Sequence, residues 1–363
     1  MKITIIATHS FPIPYKTHTG DTVILDLAKS LQEAGHEVNL IAPEKTEFNN
    51  LFVMPASYGK FPPSSEECEE KAFQTHKDML MDQDIVHDFS NSKIITANLN
   101  NIGHVNTLCT LLGGPWKHNY YPRNLCVWSK AHRSRVLRGA TDYEGTPTPN
   151  LAGHPGRPIQ ECHVVYGGID TDFYCPTDYS KNDYYLWMNR WHPVKGFTQA
   201  IEIAKKTGIK LVLAGEHPDN ELFDYQRNQA LLAIEQAKGH SNITFQWLPK
   251  DPDHHTAKRE LYRQAKALLY TVQFHEPFGL SQIESLACGT PVIGTNYGSV
   301  PELINRSVGA ICDNSIDDFV EGIKNLKVSF GQCRQYAVQK FDKHQMAKSY
   351  LNEYRLLNNG KSW

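Results

Sequence analysis

Short β-branched apolar runs alternate with stretches of helical periodicity, and the pattern starts twice. No other feature constrains this chain as strongly. Ile3-Thr4-Ile5-Ile6-Ala7 is a short, largely apolar run with β-branched residues, as a parallel strand covered on both faces would be. Val23, Ile24, Leu27, Ala28 and Leu31 then recur at helical spacing and stop at Ala34-Gly35, before a second strand, Val38-Asn39-Leu40-Ile41-Ala42. Strand, helix and strand in about forty residues make a βαβ unit, whose crossover is expected to be right-handed.

From 43 to 160 the pattern weakens. Asp84-Ile85-Val86-His87 and Leu125-Cys126-Val127-Trp128 are expected strands, and 66–81 and 129–138 expected helices, the latter opening on Ser129 as N-cap. Residues 141–160, rich in Pro and Gly, are expected to be loop, with a domain boundary near 160–180. The alternation then restarts. Strands are expected at 185–188, 211–214, 243–245, 267–270 and 292–294, and helices at 196–207, 222–238, 256–265 and 279–288 and from 315 to the end. The fold class is therefore α/β, with two Rossmann-like doubly wound domains facing across a cleft.

Composition excludes several classes. A length of 363 residues, 40% hydrophobic, supports two or three packed domains rather than a disordered or fibrous chain. The 37 basic and 39 acidic residues nearly cancel, so no whole-protein field draws nucleic acid or an anionic membrane. No apolar run reaches the ~18 residues of a spanning helix, and the chain opens on a strand rather than a signal peptide. Eight scattered cysteines without C-x-x-C fit a reduced chain, and a cytoplasmic location is expected. The 17 histidines show no H-E-x-x-H spacing, and His254-His255 is expected at the surface.

The chemistry concentrates in His275-Glu276-Pro277-Phe278-Gly279-Leu280-Ser281-Gln282-Ile283-Glu284 and the strand that follows through Val292-Ile293-Gly294. A helix starting just past a strand's carboxyl end offers free N–H groups and about half a positive charge to an anion. Gly279 lets the anion approach the backbone. Glu276 before the helix and Glu284 inside it flank that site, and carboxylates suit sugar hydroxyls better than phosphate. The ligand implied is a sugar diphosphate. Arg190, in Asn189-Arg190-Trp191-His192-Pro193-Val194-Lys195-Gly196, ends a strand, and Lys195 opens a helix. Two such cations suit a departing nucleoside diphosphate.

The first string resembles the E-x7-E signature of the family-4 retaining glycosyltransferases (the glycogen synthase or group 1 type), which have the GT-B fold. The second resembles that family's G-R-x-x-x-x-K-G diphosphate clamp, with Asn189 in place of Gly. Val165-Tyr166-Gly167-Gly168-Ile169-Asp170-Thr171-Asp172-Phe173 resembles its N-G-V-D-x-x-x-F interdomain connection, which makes Asp170-x-Asp172 an acidic turn rather than a metal site. The resemblance covers 162–345 well, 1–42 moderately and 43–160 poorly.

The resemblance implies site roles. Arg190 and Lys195 hold the diphosphate as it leaves, and backbone amides of Gly279, Leu280 and Ser281, beside Phe278, hold the distal phosphate. Glu276 positions the donor sugar, Glu284 accepts ribose hydroxyls, and the nucleobase lies near Trp247 and Leu248. Gly20, before the first helix, matches half of a paired-glycine loop. Asp84-Ile85-Val86-His87 resembles the family's D-V-V-H strand, with Phe89 where a second His often stands, so His87 is either a buried structural residue or a catalytic one. Asn106-Thr107-Leu108-Cys109 lacks the His that many relatives carry there. Without a second nucleophilic carboxylate, retention implies same-face attack, the leaving phosphate helping to accept the acceptor's proton.

The resemblance further implies domains at 1–165 and 166–345, with a terminal helix at 346–363 (Met346, Tyr350, Tyr354, Leu356) that returns to the first. The donor is a nucleotide diphosphate sugar, most commonly UDP-linked but open to GDP or ADP. No cofactor and no metal are expected. The acceptor stays open among a saccharide, a lipid, a small metabolite and a nucleic-acid base. No stable nucleic-acid complex is expected, and at most peripheral membrane contact. The basic segment Lys130, Arg133, Arg135 and Arg138 is expected to be a solvated helix face. Two rivals are a GT-B sugar-nucleotide epimerase, which needs no acceptor, and a noncatalytic sugar-nucleotide-binding protein.

Overall fold

The computed structural model describes residues 1–8, 13, 19–55, 64–104, 106–113, 123–138, 161–178, 180–218, 224–249 and 253–363. They form two compact units, Met1–Gly168 with Lys343–Trp363, and Ile169–Asp342. The boundaries expected after 165 and 345 thus move to Gly168 and Asp342. Asp342 stays with the second unit because its backbone bridges Ile169 and its carboxylate accepts the Thr171 hydroxyl.

The first unit contains β1 (Lys2–Ile6), α1 (Thr19–Glu33), β2 (Glu37–Pro43), β3 (Leu51–Met54), α2 (Ser65–Met81) and β4 (Ile85–Asp88). It continues with α3 (Ile94–Asn101), β5 (Thr107–Leu111), β6 (Leu125–Val127), α4 (Lys130–Leu137) and β7 (His163–Val164). Its parallel sheet runs β3-β2-β1-β4-β5-β6-β7, with Ile5 between Leu40 and His87. Ile6, Ile41 and Val86 from the sheet pack against Phe73 and Leu80 of α2 and Ile95 and Leu99 of α3. Strands covered on both faces by helices are why β1 and β2 are near-continuous apolar runs.

The second unit contains β8 (Tyr185–Met188), a single 3-10 turn (Pro193–Lys195), α5 (Phe197–Thr207), β9 (Leu211–Gly215), α6 (Asp224–Ala237), β10 (Ile243–Trp247) and α7 (His254–Gln264). Then come β11 (Ala267–Tyr270), α8 (Leu280–Ala287), β12 (Val292–Thr295), α9 (Val300–Leu303), β13 (Gly309–Cys312), α10 (Ile316–Asn325) and α11 (Phe330–Phe341). Its parallel sheet runs β10-β9-β8-β11-β12-β13. Strand order reverses between β8 and β11, the place where open α/β sheets bind ligands beyond the strands' carboxyl ends. Trp187, Trp191, Phe197, Ile201, Leu213, Leu269 and Ile293 fill the core beneath.

The last helix, α12 (Lys343–Asn358), belongs to the first unit and begins three residues before its expected start at 346. Met346, Tyr350, Tyr354 and Leu357 are buried, so Leu357 rather than Leu356 faces inward. His87 on β4 is wholly buried, with Nδ1 2.7 Å from the Tyr354 hydroxyl and Nε2 2.8 Å from Thr110 Oγ1. Trp128 Nε1 donates to the Tyr350 hydroxyl at 3.1 Å. Burial, then Lys93, holds the His87 imidazole well below the ordinary histidine range. His87 is therefore a neutral structural residue that pins α12 to the sheet.

Other expectations shift as well. Gly20 is the second residue of α1 rather than preceding it, and a Cβ there would meet nothing within 4 Å. Residues 107–109 lie inside β5. The loop expected at 141–160 lies outside the described residues. His254 is buried at the start of α7 with Nδ1 3.1 Å from the Pro249 carbonyl, which corrects the surface expectation. Asp170 Oδ1 accepts the backbone N–H groups of Asp172 and Phe173, so Asp170-x-Asp172 is a capped turn. Lys130 and Arg133 on α4 and Arg138 at its C-cap are exposed, while His132 and Val136 are buried.

Candidate functional site

The site grows from how the chain leaves β8. Gly196 closes the 3-10 turn and opens α5 with φ +73°, and a Cβ there would lie 1.8 Å from the Thr271 carbonyl oxygen. Only glycine permits both that backbone and that approach. The three carbonyls around it are each held: Gln273 N donates to Val194 O at 2.7 Å, Trp187 Nε1 to Lys195 O at 3.1 Å, and Thr271 Oγ1 to Gly196 O at 2.7 Å. Lys195 is thereby fixed against the segment that follows β11.

That segment carries Glu276. Its backbone oxygen accepts Ser299 N at 2.9 Å, and Ser299 Oγ donates to Phe278 O at 2.7 Å. Lys195 Nζ donates to Glu276 Oε2 at 2.6 Å and lies 4.6 Å from the centroid of the Phe274 ring. Tyr270, the last residue of β11, donates its hydroxyl to the same Oε2 at 2.8 Å. Burial first, and then the Glu276 carboxylate, push the Tyr270 phenol well above its ordinary range, so it remains a donor.

Gly279 follows at φ +87° and starts α8. A Cβ on it would come within 2.7 Å of the Tyr270 hydroxyl and 2.3 Å of Gln282 Nε2. At the start of α8 the N–H groups of Leu280 and Ser281 precede any intrahelical acceptor, and Gly279, Leu280 and Ser281 are half-buried rather than sealed. Glu276, Lys195 and the helix start are thus brought together. Phe278 is the exception within the motif. Its ring is 2% exposed and faces Phe341, so it contributes backbone rather than a binding surface.

Glu284 lies elsewhere in chemical terms. Its carboxylate is wholly buried inside α8, with Lys258 Nζ of α7 2.6 Å from Oε2 and the Tyr262 hydroxyl donating to that oxygen at 3.1 Å. Burial, followed by the Glu284 charge, raises the Tyr174 and Tyr262 phenols well above their usual range. The carboxylate that was expected to accept ribose hydroxyls is here buried and held through Oε2 in an ion pair. Arg190 lies two residues past β8 with an exposed side chain, and among the described residues it contacts neither Lys195 nor Glu276.

Trp247 ends β10 instead of lying in the loop beyond it. Its half-buried ring packs on Trp191 at 5.6 Å and His217 at 4.7 Å, whereas Leu248 is buried. Gly20 belongs to the first unit. Among the described residues, no group of three or more His, Cys, Asp or Glu side chains is placed to hold a metal ion, and no helix is long and apolar enough to cross a membrane. Sequence reasoning missed Tyr270, Tyr262 and Lys258. The one available signal was Tyr270 closing an otherwise aliphatic strand, since a buried phenol needs a partner.

Residues 176–336 match the family model described as glycosyl transferases group 1, a span that contains Arg190, Lys195, Glu276, Gly279 and Glu284. The second unit matches the group 1 glycosyltransferase family model over most of its length. The comparisons extend beyond this span in two ways. A probable sucrose-phosphate synthase of Thermosipho melanesiensis is 25% identical over 206 residues, 52% of this chain and 46% of that protein. The chain spans about half the length of the curated relatives it matches. Among solved structures, sucrose-phosphate synthase from Thermosynechococcus elongatus superimposes with TM-score 0.76 at 15% identity, covering 99% of this chain and 100% of the other. Anabaena HepE in complex with UDP and glucose gives 0.68 at 15% identity, covering 97% and 98%. The likeness shows the fold: two parallel-sheet α/β units of the GT-B type, as the sequence led us to expect.

Proposed function

We propose that the protein transfers a sugar from a nucleotide diphosphate sugar, a UDP-sugar first among them, to an acceptor hydroxyl, with retention and without a metal. The observation that carries this reading is the Lys195–Glu276 pair beside the open first turn of α8, where strand order reverses. An arriving diphosphate competes with Glu276 for Lys195. The cation then serves the charge that develops on the leaving group, and the N–H groups of Gly279, Leu280 and Ser281 take the distal phosphate. Exposed Arg190 adds a second cation by side-chain rotation. Glu276, released from one donor and kept by another, accepts hydroxyls of the sugar. The leaving phosphate, on the same face as the acceptor, helps take the acceptor's proton.

On the nucleotide side, the half-buried Trp247 and His217 rings offer flat surfaces for a base. Ribose reaches Glu284 only when its pair with Lys258 opens, which couples nucleotide binding to the position of α7. UDP takes precedence because a solved structure of this fold binds it. The acceptor is a saccharide, a lipid, a small metabolite or a nucleic-acid base.

The test is a thermal-shift screen of UDP, GDP and ADP, followed by release of the winning nucleotide from its sugar conjugates with and without acceptors. A shift with one nucleotide and acceptor-dependent release are expected. No shift with any nucleotide or nucleotide sugar overturns the proposal. Sugar inversion without acceptor favours the epimerase, and binding without turnover the noncatalytic binder.

A further inference from the structure

The geometry points to Tyr270 as a positioning residue that, with Lys195, fixes one oxygen of Glu276 so that the other is aimed at the donor sugar; this rests on the donor-site reading above. A glutamate side chain has three rotatable bonds, and a loop glutamate without fixed partners spreads its carboxylate over several rotamers. Here two donors converge on Oε2, the ammonium at 2.6 Å and the phenol at 2.8 Å, and Oε1 receives neither. The two donors differ in permanence. Lys195 is 12% exposed in its side chain and is the group a diphosphate recruits. Tyr270 is 1% exposed, anchored by β11 between β8 and β12, and has no other task in the proposed chemistry. When the phosphate draws Lys195 away, the Tyr270 hydrogen bond remains to hold the carboxylate.

The neighbouring glycine supports the assignment independently. Gly279 is required by its φ of +87°, and even a methyl group there would crowd the Tyr270 hydroxyl at 2.7 Å. The motif's glycine therefore clears room for the phenol as well as for a phosphate. Glu284 shows the same construction, with Lys258 and Tyr262 both on its Oε2. A lysine and a tyrosine sharing one carboxylate oxygen is thus used at each glutamate of the pair. Glu276 differs in facing an open helix start rather than a closed interior.

The experiment is Tyr270→Phe in the full-length protein, which removes one oxygen atom and keeps the ring. Its crystal structure with a nucleoside diphosphate bound, which engages Lys195, should show the Glu276 carboxylate turned from its present rotamer or spread over several. Turnover should fall by about 10- to 100-fold, the loss expected for one hydrogen bond to a charged group, with the KM for the nucleotide sugar nearly unchanged. In a Glu276→Gln background the same substitution should cost little more, because the group it positions is already compromised. Reverting the substitution, which restores the phenol hydroxyl, should recover both readouts. An unmoved Glu276 in the variant structure with the nucleoside diphosphate bound overturns the positioning role whatever the kinetics. An equal fold-loss in the Glu276→Gln background does the same, since it marks a purely structural tyrosine. If Glu276 moves yet the unmodified protein turns over no nucleotide sugar, the positioning stands and the donor reading falls.

Discussion

Lys195 and Glu276, 81 residues apart, form a 2.6 Å ion pair between the turn that follows β8 and the segment that follows β11. Each depends on the other's backbone surroundings, because the carbonyls of residues 194–196 are tied to Trp187, Thr271 and Gln273. On the proposed mechanism, the lysine exchanges its carboxylate for the diphosphate. Lys195→Ala is expected to lower kcat by ~10²–10³-fold, the range for one lost electrostatic donor at a developing charge. Glu276→Ala should lower kcat more than it weakens nucleotide binding. Steady-state kinetics with calorimetry for the nucleotide checks both, and full activity in both variants would remove the pair from the mechanism.

Gly196→Ala tests how that lysine is placed. The left-handed backbone costs an alanine ~1–2 kcal/mol, and the clash with the Thr271 carbonyl forces the turn away from β11. A lower melting temperature and a lower kcat are expected together. A variant that matches the parent in both would show that the close approach of the turn to β11 is not needed.

The elements that sequence made legible are those whose burial is two-sided. β1, β2, β8, β9, β11 and β12 are apolar runs because helices cover both faces, and the helix between β1 and β2 carries its stripe of Val23, Ile24, Leu27 and Leu31. Missed elements lack that signature. α3 has its N-cap, Lys93, in the left-handed region and is half polar, while β3 and β13 are four residues each at sheet edges. The site divided in the same way. Glu276, Lys195 and Gly279 were readable because their roles follow from position beside a helix start. The Glu284 ion pair was not, because Lys258 approaches from α7, a separate helix whose sequence suggests only a charged surface.

Glu284 and Lys258 give a prediction about stability. Both are buried, at 0% and 6% exposure, so removing one leaves the other's charge uncompensated. Lys258→Met is expected to destabilise the second unit by about 3–5 kcal/mol, and Glu284→Gln with Lys258→Met to recover much of that loss. Urea unfolding of the two single variants and the double variant checks it. A Lys258→Met protein as stable as the parent would mean that Glu284 reaches water and stands open to ribose without the pair having to part.

Asp21, at the start of α1, gives the pH dependence. Thr8 Oγ1 donates to its Oδ1 at 2.7 Å, yet burial outweighs that bond and pushes the carboxyl up to about 6. Its unfolded value is near 3.8, so between that pH and about 6 the folded chain holds a proton the unfolded chain has lost. Stability therefore falls as pH rises through this window and stays reduced above it. His87 acts oppositely: neutral when folded, it costs stability as pH drops below ~6.5, where the unfolded imidazole takes a proton. Total stability mixes the two, and a substitution separates them. Asp21→Asn keeps an acceptor for Thr8 and removes the ionisation, while His87 cancels in the comparison with the parent. The melting-temperature gain of Asp21→Asn over the parent should be small at pH 4 and larger at pH 8. A gain that is equal at both values, or larger at pH 4, would show that Asp21 is not ionised against its surroundings in the folded chain.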